Sequence, residues 1–345
     1  MLLRLTSVAF ATALIFTACN TNKNTPESGK NAEQGLAIDT NAKVAVSPQE
    51  QRIQKLEFNF TPGETIRYKM EQKDEIVQDD SIRVVNNTTL FYTKHIVSNK
   101  DGVVNFTITY DSIKVYQKAP SMGTMPANEI KFNSTDSSSK GNKDYAVFNS
   151  IIGNPVTITM NSKGRIEEIS GMTPIINAML KYSPTPNNVS EQQRTQIAEQ
   201  IKVGMYAQII QQEQITLPDS TLDSTMSWSR TSPQEIPPFF ISNSTIRYNI
   251  GNVSKIEDHK VADVTATLSG NIELVKTKQP IPVTLKSSSM SGSGKTFIDV
   301  DRGYTLLKDT KIMLSIVAES VNPKTKKTEQ MKQTKTTIMH VEKLK

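Results

Sequence analysis

The chain has 345 residues, of which 36% are hydrophobic, with a formal charge of +6 and a mean hydropathy of −0.40. That length holds one large domain or two ordinary ones, and the apolar content supplies one core better than two thick ones. A single cysteine, Cys19, excludes an internal disulfide, a cysteine zinc site and CxxC redox chemistry.

The N-terminus comes first. Met1-Leu-Leu-Arg4 is a short positive start, and Leu5 to Phe16 is an apolar run too short to span a bilayer. Residues 1–18 read as a signal peptide. Phe16-Thr17-Ala18-Cys19 resembles the lipobox of bacterial lipoproteins, departing from it at Phe16, where leucine is usual. The resemblance implies lipidation of Cys19 with more than one acyl chain. At about 0.8 kcal/mol per buried methylene, such an anchor makes release from the membrane negligible. Asn20 in place of aspartate implies the outer membrane by analogy, and the lack of an acidic cluster near Cys19 implies its periplasmic face. Residues 19–54 contain no aromatic and read as a disordered tether, with a reach of roughly 30 Å.

Residues 55–171 read as a β-rich half. Leu56, Phe58 and Phe60 alternate onto one face, and Thr61–Glu64 turns the chain into a strand from Ile66 towards Val77. A hairpin of Thr88–Val97 and Val103–Lys118 follows. Its inward set passes from Tyr110 to Ile113, a phase change that predicts a β-bulge near Asp111-Ser112. Residues 119–143 read as a loop. Val156–Met160 and Arg165–Ile169 form a hairpin about Asn161–Gly164.

Residues 172–215 carry the helical signal. Met172–Lys181 is a short helix, and a break follows at Pro184, Pro186, Asn187 and Asn188. Ser190-Glu-Gln-Gln193 then opens a second helix with a capping box. Ile197, Ile201, Met205 and Ile209 recur every four residues on one stripe.

Residues 216–345 read as a second β half. Pro233, Pro237 and Pro238 mark a loop, and Thr245–Val253 pairs with Val261–Val275. Thr296–Val300 pairs with Tyr304–Val317 about Asp301–Gly303, and the last strand spans Lys332–Val341. The expected fold is α+β, mainly antiparallel: two strand-rich halves with curved sheets, joined by a central helical pair. The similar order of elements in the halves points to an ancient duplication.

Several motifs fail on inspection. Gly292–Thr296 resembles the tail of a phosphate-binding loop, but Ser289 stands where the first glycine belongs and a strand follows. Asp299, Asp301 and Gly303 lack the remaining calcium ligands. His95, His259 and His340 are scattered, and Glu167 and Glu168 fall on opposite strand faces. No nucleophile and base stand at a recognisable spacing, so neither a catalytic residue, a metal nor a cofactor is expected. From Lys308 to Lys345 nine lysines face four acids. They are not interleaved with arginine and aromatics, which argues against nucleic acid. They suit solvated faces, a Lys-rich turn at Pro323–Lys327, or contact with anionic lipid or an acidic partner.

The lipobox, Leu56–Gly63, Gly164–Gly171 and the Gly292–Gly303 hairpin together resemble an uncharacterised family of Bacteroidota envelope lipoproteins. That family carries no activity to transfer. In fold, a curved antiparallel sheet over helices also resembles the lipoprotein carriers. The expectation is a non-enzymatic envelope protein with a cavity for an apolar or lipid-like ligand. Met172, Ile176, Met179, Ile197, Ile201, Met205 and Ile209 would line it, with Ile175 beside them. The alternative is a structural or assembly partner of another envelope protein, using exposed strand edges or the lysine-rich end; a third reading is an enzyme whose site comes together only in three dimensions.

Overall fold

A computed structural model describes residues 39, 42–121, 126–182, 189–219, 221–222, 225–236, 240–275, 283–321 and 327–345. The signal peptide, Cys19, most of the tether, the break at Pro184–Asn188, Pro237, Pro238 and most of the Lys-rich turn lie outside the described residues.

The strands are long. In the first part of the chain they are β1 (Val44–Ala45), β2 (Thr65–Gln78), β3 (Ile82–Lys100), β4 (Val103–Ala119), β5 (Asn128–Asn133), β6 (Val156–Asn161) and β7 (Ile166–Ser170). In the second part they are β8 (Ser227–Ile236), β9 (Phe240–Ile256), β10 (His259–Leu274), β11 (Val283–Asp299), β12 (Thr305–Val321) and β13 (Thr328–Leu344). All thirteen belong to one open antiparallel sheet, in the order β1-β9-β10-β11-β12-β13-β2-β3-β4-β6-β7, with β5 on β4 and β8 on β9.

That order joins the two strand-rich halves, which the sequence leaves open as one sheet or two domains, into a single sheet. The last strand pairs with β2 from Gln333↔Gln78 to Leu344↔Arg67. Without this pairing both strands would be edges with a row of unmatched backbone groups. The bulge falls where the phase change put it: Phe91 faces Ser112 and Tyr92 faces Tyr110, leaving Asp111 as the extra residue.

Three strand stretches differ from expectation. The loop 119–143 contains β5, and the proline-marked loop contains β8, where Pro233 is tolerated because β8 pairs on one side only among the described residues. Strand β11 begins well before Thr296, through a Ser- and Gly-rich run whose alternation is hidden by small residues. A Cβ on Gly292 would lie 2.8 Å from the Lys311 carbonyl, and one on Gly270 would run into the Asn243 carbonyl. Neighbouring backbones approach too closely there for any side chain.

The helical residues come in short pieces rather than the regular pair expected. They are a 3-10 turn (Lys143–Tyr145), α1 (Ala146–Ile151), α2 (Thr173–Leu180), α3 (Glu191–Ile201), a π-helical segment (Lys202–Ala207) and α4 (Gln208–Glu213). The Ser190 hydroxyl accepts from the Gln193 amide and the Gln193 side chain accepts from the Ser190 amide, completing the expected capping box. Helical pieces pack on one face of the sheet, called the helical face below.

Leu56, Phe58 and Phe60 are all buried, at 0%, 2% and 2% exposure, but this segment is not a sheet strand. It threads between two glycine turns: Phe58 N–H donates to the Ser162 carbonyl and Asn59 N–H to the Arg302 carbonyl, both at 2.9 Å. Residues 42–54, expected as tether, also hold to the sheet. β1 pairs with β9, the Gln51 amide exchanges two hydrogen bonds with the Val253 backbone, and Ile53 is buried. A two-way amide pairing and one buried aliphatic suffice to fix the end of an otherwise polar segment.

Candidate functional site

The four-residue stripe does not run straight. The π segment inserts i→i+5 spacing between α3 and α4, which rotates the buried face by one residue. Tyr206 is therefore fully buried where the stripe placed Met205, and Met205 is half-buried. The Tyr110 hydroxyl donates to the Met205 carbonyl at 3.2 Å, and the Tyr110 and Tyr206 rings meet edge to face at 5.3 Å. Tyr68, Tyr92 and Tyr110 stand in one cross-strand row of β2, β3 and β4. Burial raises all three phenols well above their ordinary pKa.

The seven expected cavity residues separate into two groups. Met172, Ile176, Ile201 and Ile209 are buried in the main core, and Met179, Ile197 and Met205 pack half-buried against it. Met205 and Ile209 line a cleft of about 100 Å³ between the helical pieces and β2–β4. The other five do not line this cleft.

One wall of the cleft is apolar: Leu90, Tyr110, Ile113, Val115 and Phe148, closed over by Met205 and Ile209. The other is polar: Gln72, Asp74, Asn86, Thr88, Gln208 and Gln212. Asp74 is 4% exposed and organises this wall. Its carboxylate accepts from Gln72 Nε2 at 2.7 Å, Thr337 Oγ1 at 2.5 Å and Asn86 Nδ2 at 3.5 Å, and lies 3.5 Å from Lys335 Nζ. Gln212 Nε2 donates to Gln72 Oε1 at 3.0 Å, tying α4 to the same network.

Beyond the cleft, α4 ends on a sealed ionic cluster. Lys94 Nζ lies 2.7 Å from Glu213 Oε1, and the two side chains are 1% and 0% exposed. The Tyr92 hydroxyl donates to Glu213 Oε2 at 2.7 Å. The start of β12 supplies donors to the last helical carbonyls: Thr305 Oγ1 to Glu213 O at 2.8 Å and Lys308 Nζ to Gln214 O at 2.7 Å. These satisfy carbonyls that the helix leaves open and place a cation at its negative end. Burial lowers the Lys94 ammonium pKa, with Glu213 pulling the other way. Lys308 is lowered to about 8 for the same reason, again against Glu213.

Lys94, Glu213, Asp74 and Asn86 were not singled out from sequence, although signals existed. Lys94 occupies an inward position between Tyr92 and Ile96, and Asp74 one between Met70 and Ile76. Glu213 continues the four-residue stripe after Ile209. Chemically, a pair closed to solvent fixes a helix end, whereas the Asp74 wall borders open space and can contact a ligand. No group of three or more His, Cys, Asp or Glu among the described residues could hold a metal ion.

Residues 101–307 match a protein family described as a family of unknown function, DUF6263. No curated protein matches the chain. Among solved structures it is similar to one described as lipid–protein interactions in lipovitellin, at 11% identity and a TM-score of 0.44, over 83% of this chain. The chain spans only 26% of that structure's length. It is also similar to an outer membrane channel from Pseudomonas putida F1, at 8% identity and a TM-score of 0.22, over 87% of this chain and 100% of that one. A third likeness, to OccK7 (OpdD) of Pseudomonas aeruginosa, has 6% identity, a TM-score of 0.25 and coverage of 82% and 99%. At these scores none of the three likenesses carries a functional argument.

Proposed function

The chain belongs to the family of unknown function that its residues 101–307 match, and we propose that it is a lipid-anchored envelope protein that binds an amphiphilic, lipid-like ligand without transforming it. The observation that carries this reading is the cleft with one apolar and one hydrogen-bonding wall. Its volume of about 100 Å³ is below the roughly 300–1,000 Å³ of a pocket that encloses a whole small molecule. It takes one end of a ligand. The rest lies along the apolar wall of Leu90, Ile113 and Val115.

The anchor rests on Cys19 and the lipobox-like residues before it. More than one acyl chain there holds the protein to the outer membrane, by analogy at its periplasmic face, close to a supply of lipid. Binding without turnover fits a polar wall in which the Asp74 carboxylate is already engaged by Gln72, Thr337, Asn86 and Lys335.

Gentle extraction followed by native mass spectrometry tests the reading. A lipid-like adduct is expected on the wild-type chain and is expected to be lost in Thr88→Trp, which fills the cleft. A chain that carries no adduct and binds no added amphiphile overturns it. Cys19→Ser is expected to move the protein from the membrane to the soluble fraction.

One observation favours a second reading, as an assembly partner of an envelope protein. The sheet is open, and among the described residues β7 and β8 each pair on one side only, which leaves strand edges for a partner. Cross-links from β7 to one defined membrane protein would favour it.

A further inference from the structure

This inference rests on the binding role proposed for the cleft and narrows the class of molecule it takes. Asn86 is 6% exposed and stands in the polar wall, on the same face of β3 as Thr88. Its Nδ2 faces Asp74 Oδ2 at 3.5 Å, while its Oδ1 is buried without a hydrogen-bond partner. The orientation is set by chemistry. Turning the amide over would place its carbonyl against a carboxylate, oxygen against oxygen. A buried acceptor left unpaired is costly, and what it lacks is a donor.

Charge narrows the choice further. Asp74 is the acid of this wall, and Lys335 lies 3.5 Å from it, so the wall is formally balanced. An anionic head group would be desolvated beside the Asp74 carboxylate, and a cationic one would compete with Lys335. We infer that the cleft takes uncharged amphiphiles whose head group carries a hydroxyl or amide N–H, with Asn86 as the residue that selects for that donor. The donor meets Asn86 Oδ1, and the chain of the ligand lies against Leu90 and Val115 on the apolar wall.

Two probes of equal chain length separate the ideas: 1-dodecanol, whose head donates, and dodecyl methyl ether, whose head only accepts. Binding to the full chain is followed by the methyl resonance of carbon-13-labelled Met205 in the cleft. In the wild type the alcohol is expected to bind about tenfold more tightly, the worth of one hydrogen bond to an otherwise unpaired acceptor. In Asn86→Leu the alcohol-to-ether ratio is expected to fall to about one. Equal binding of alcohol and ether by the wild type overturns donor selection and leaves the binding role standing. Binding of neither overturns the binding role as well. The wild-type ratio decides the matter even where Asn86→Leu does not fold.

Discussion

The ammonium of Lys94 and the carboxylate of Glu213 lie 2.7 Å apart with both side chains sealed from solvent. Lys94 also stands over the rings of Phe106 and Tyr68, at 5.0 Å and 5.5 Å from their centroids. Removing one partner strands the other charge in an apolar setting, at a cost of roughly 3–5 kcal/mol, whereas removing both leaves no charge to strand. Urea unfolding of Lys94→Met, Glu213→Gln and the double variant checks this. The double variant is expected to lose markedly less than the sum of the singles. Additive losses would mean the two charges do not depend on each other.

The alkaline side of the stability curve should carry the mark of Lys308. Its folded pKa is about 8, against about 10.4 for an unfolded lysine. Between these values the unfolded chain holds the proton more strongly, so stability rises with pH across that window. Below about 8 both states are charged and the burial penalty is fully present. Unfolding midpoints at pH 7.5, 9 and 10 are expected to rise relative to those of Lys308→Met, in which this contribution is flat. A difference that stays constant with pH would remove the assignment.

Local chemistry was legible in the sequence and long-range pairing was not. The bulge at Asp111 shows because Tyr110 and Ile113 cannot share a face without an extra residue between them. The capping box shows because Ser190 and Gln193 are three residues apart. The pairing of β13 with β2 joins distant parts of the chain and leaves no local trace, so the sequence does not decide between one sheet and two domains. Strand β11 is longer than its pattern suggests because Ser287–Gly294 offers only Met290 among serines and glycines to mark its faces. The cleft escaped for a related reason. Helical periodicity finds Met205 and Ile209, but the wall opposite comes from β2 and β3, whose inward polar residues gain meaning only once the helical pieces lie over them.

Helix α3 is held mainly at its start. Most of its residues are exposed, with Ile201 buried at its end. Ser190→Ala removes the hydroxyl that accepts from the Gln193 amide and is expected to cost about 1 kcal/mol. Because most of the helix is exposed, the loss should be local. Hydrogen exchange is expected to accelerate about fivefold at Gln193 and its neighbours, with protection unchanged in β2–β4. Uniform loss of protection through the sheet would show that α3 unfolds only together with the core.

Two glycine turns, one packed on the Glu57–Phe58 backbone and one just after Phe60, give the sharpest test of why glycine is needed. Gly63 and Gly303 both have positive φ, +82° and +78°. A Cβ on Gly63 meets nothing within 4 Å, whereas one on Gly303 runs into the Glu57 carbonyl and comes within 3.1 Å of Phe58 Cα. Alanine at Gly63 therefore costs only the left-handed backbone, about 1 kcal/mol. Alanine at Gly303 adds a collision with main chain that cannot rotate away, and it pushes on the segment that carries Phe58 and Phe60 into the core. Thermal unfolding is expected to rank Gly303→Ala below Gly63→Ala by roughly 2 kcal/mol. Equal losses would mean the lead-in segment yields freely, and its place between the turns at Ser162 and Arg302 would then contribute little to holding the two ends of the chain together.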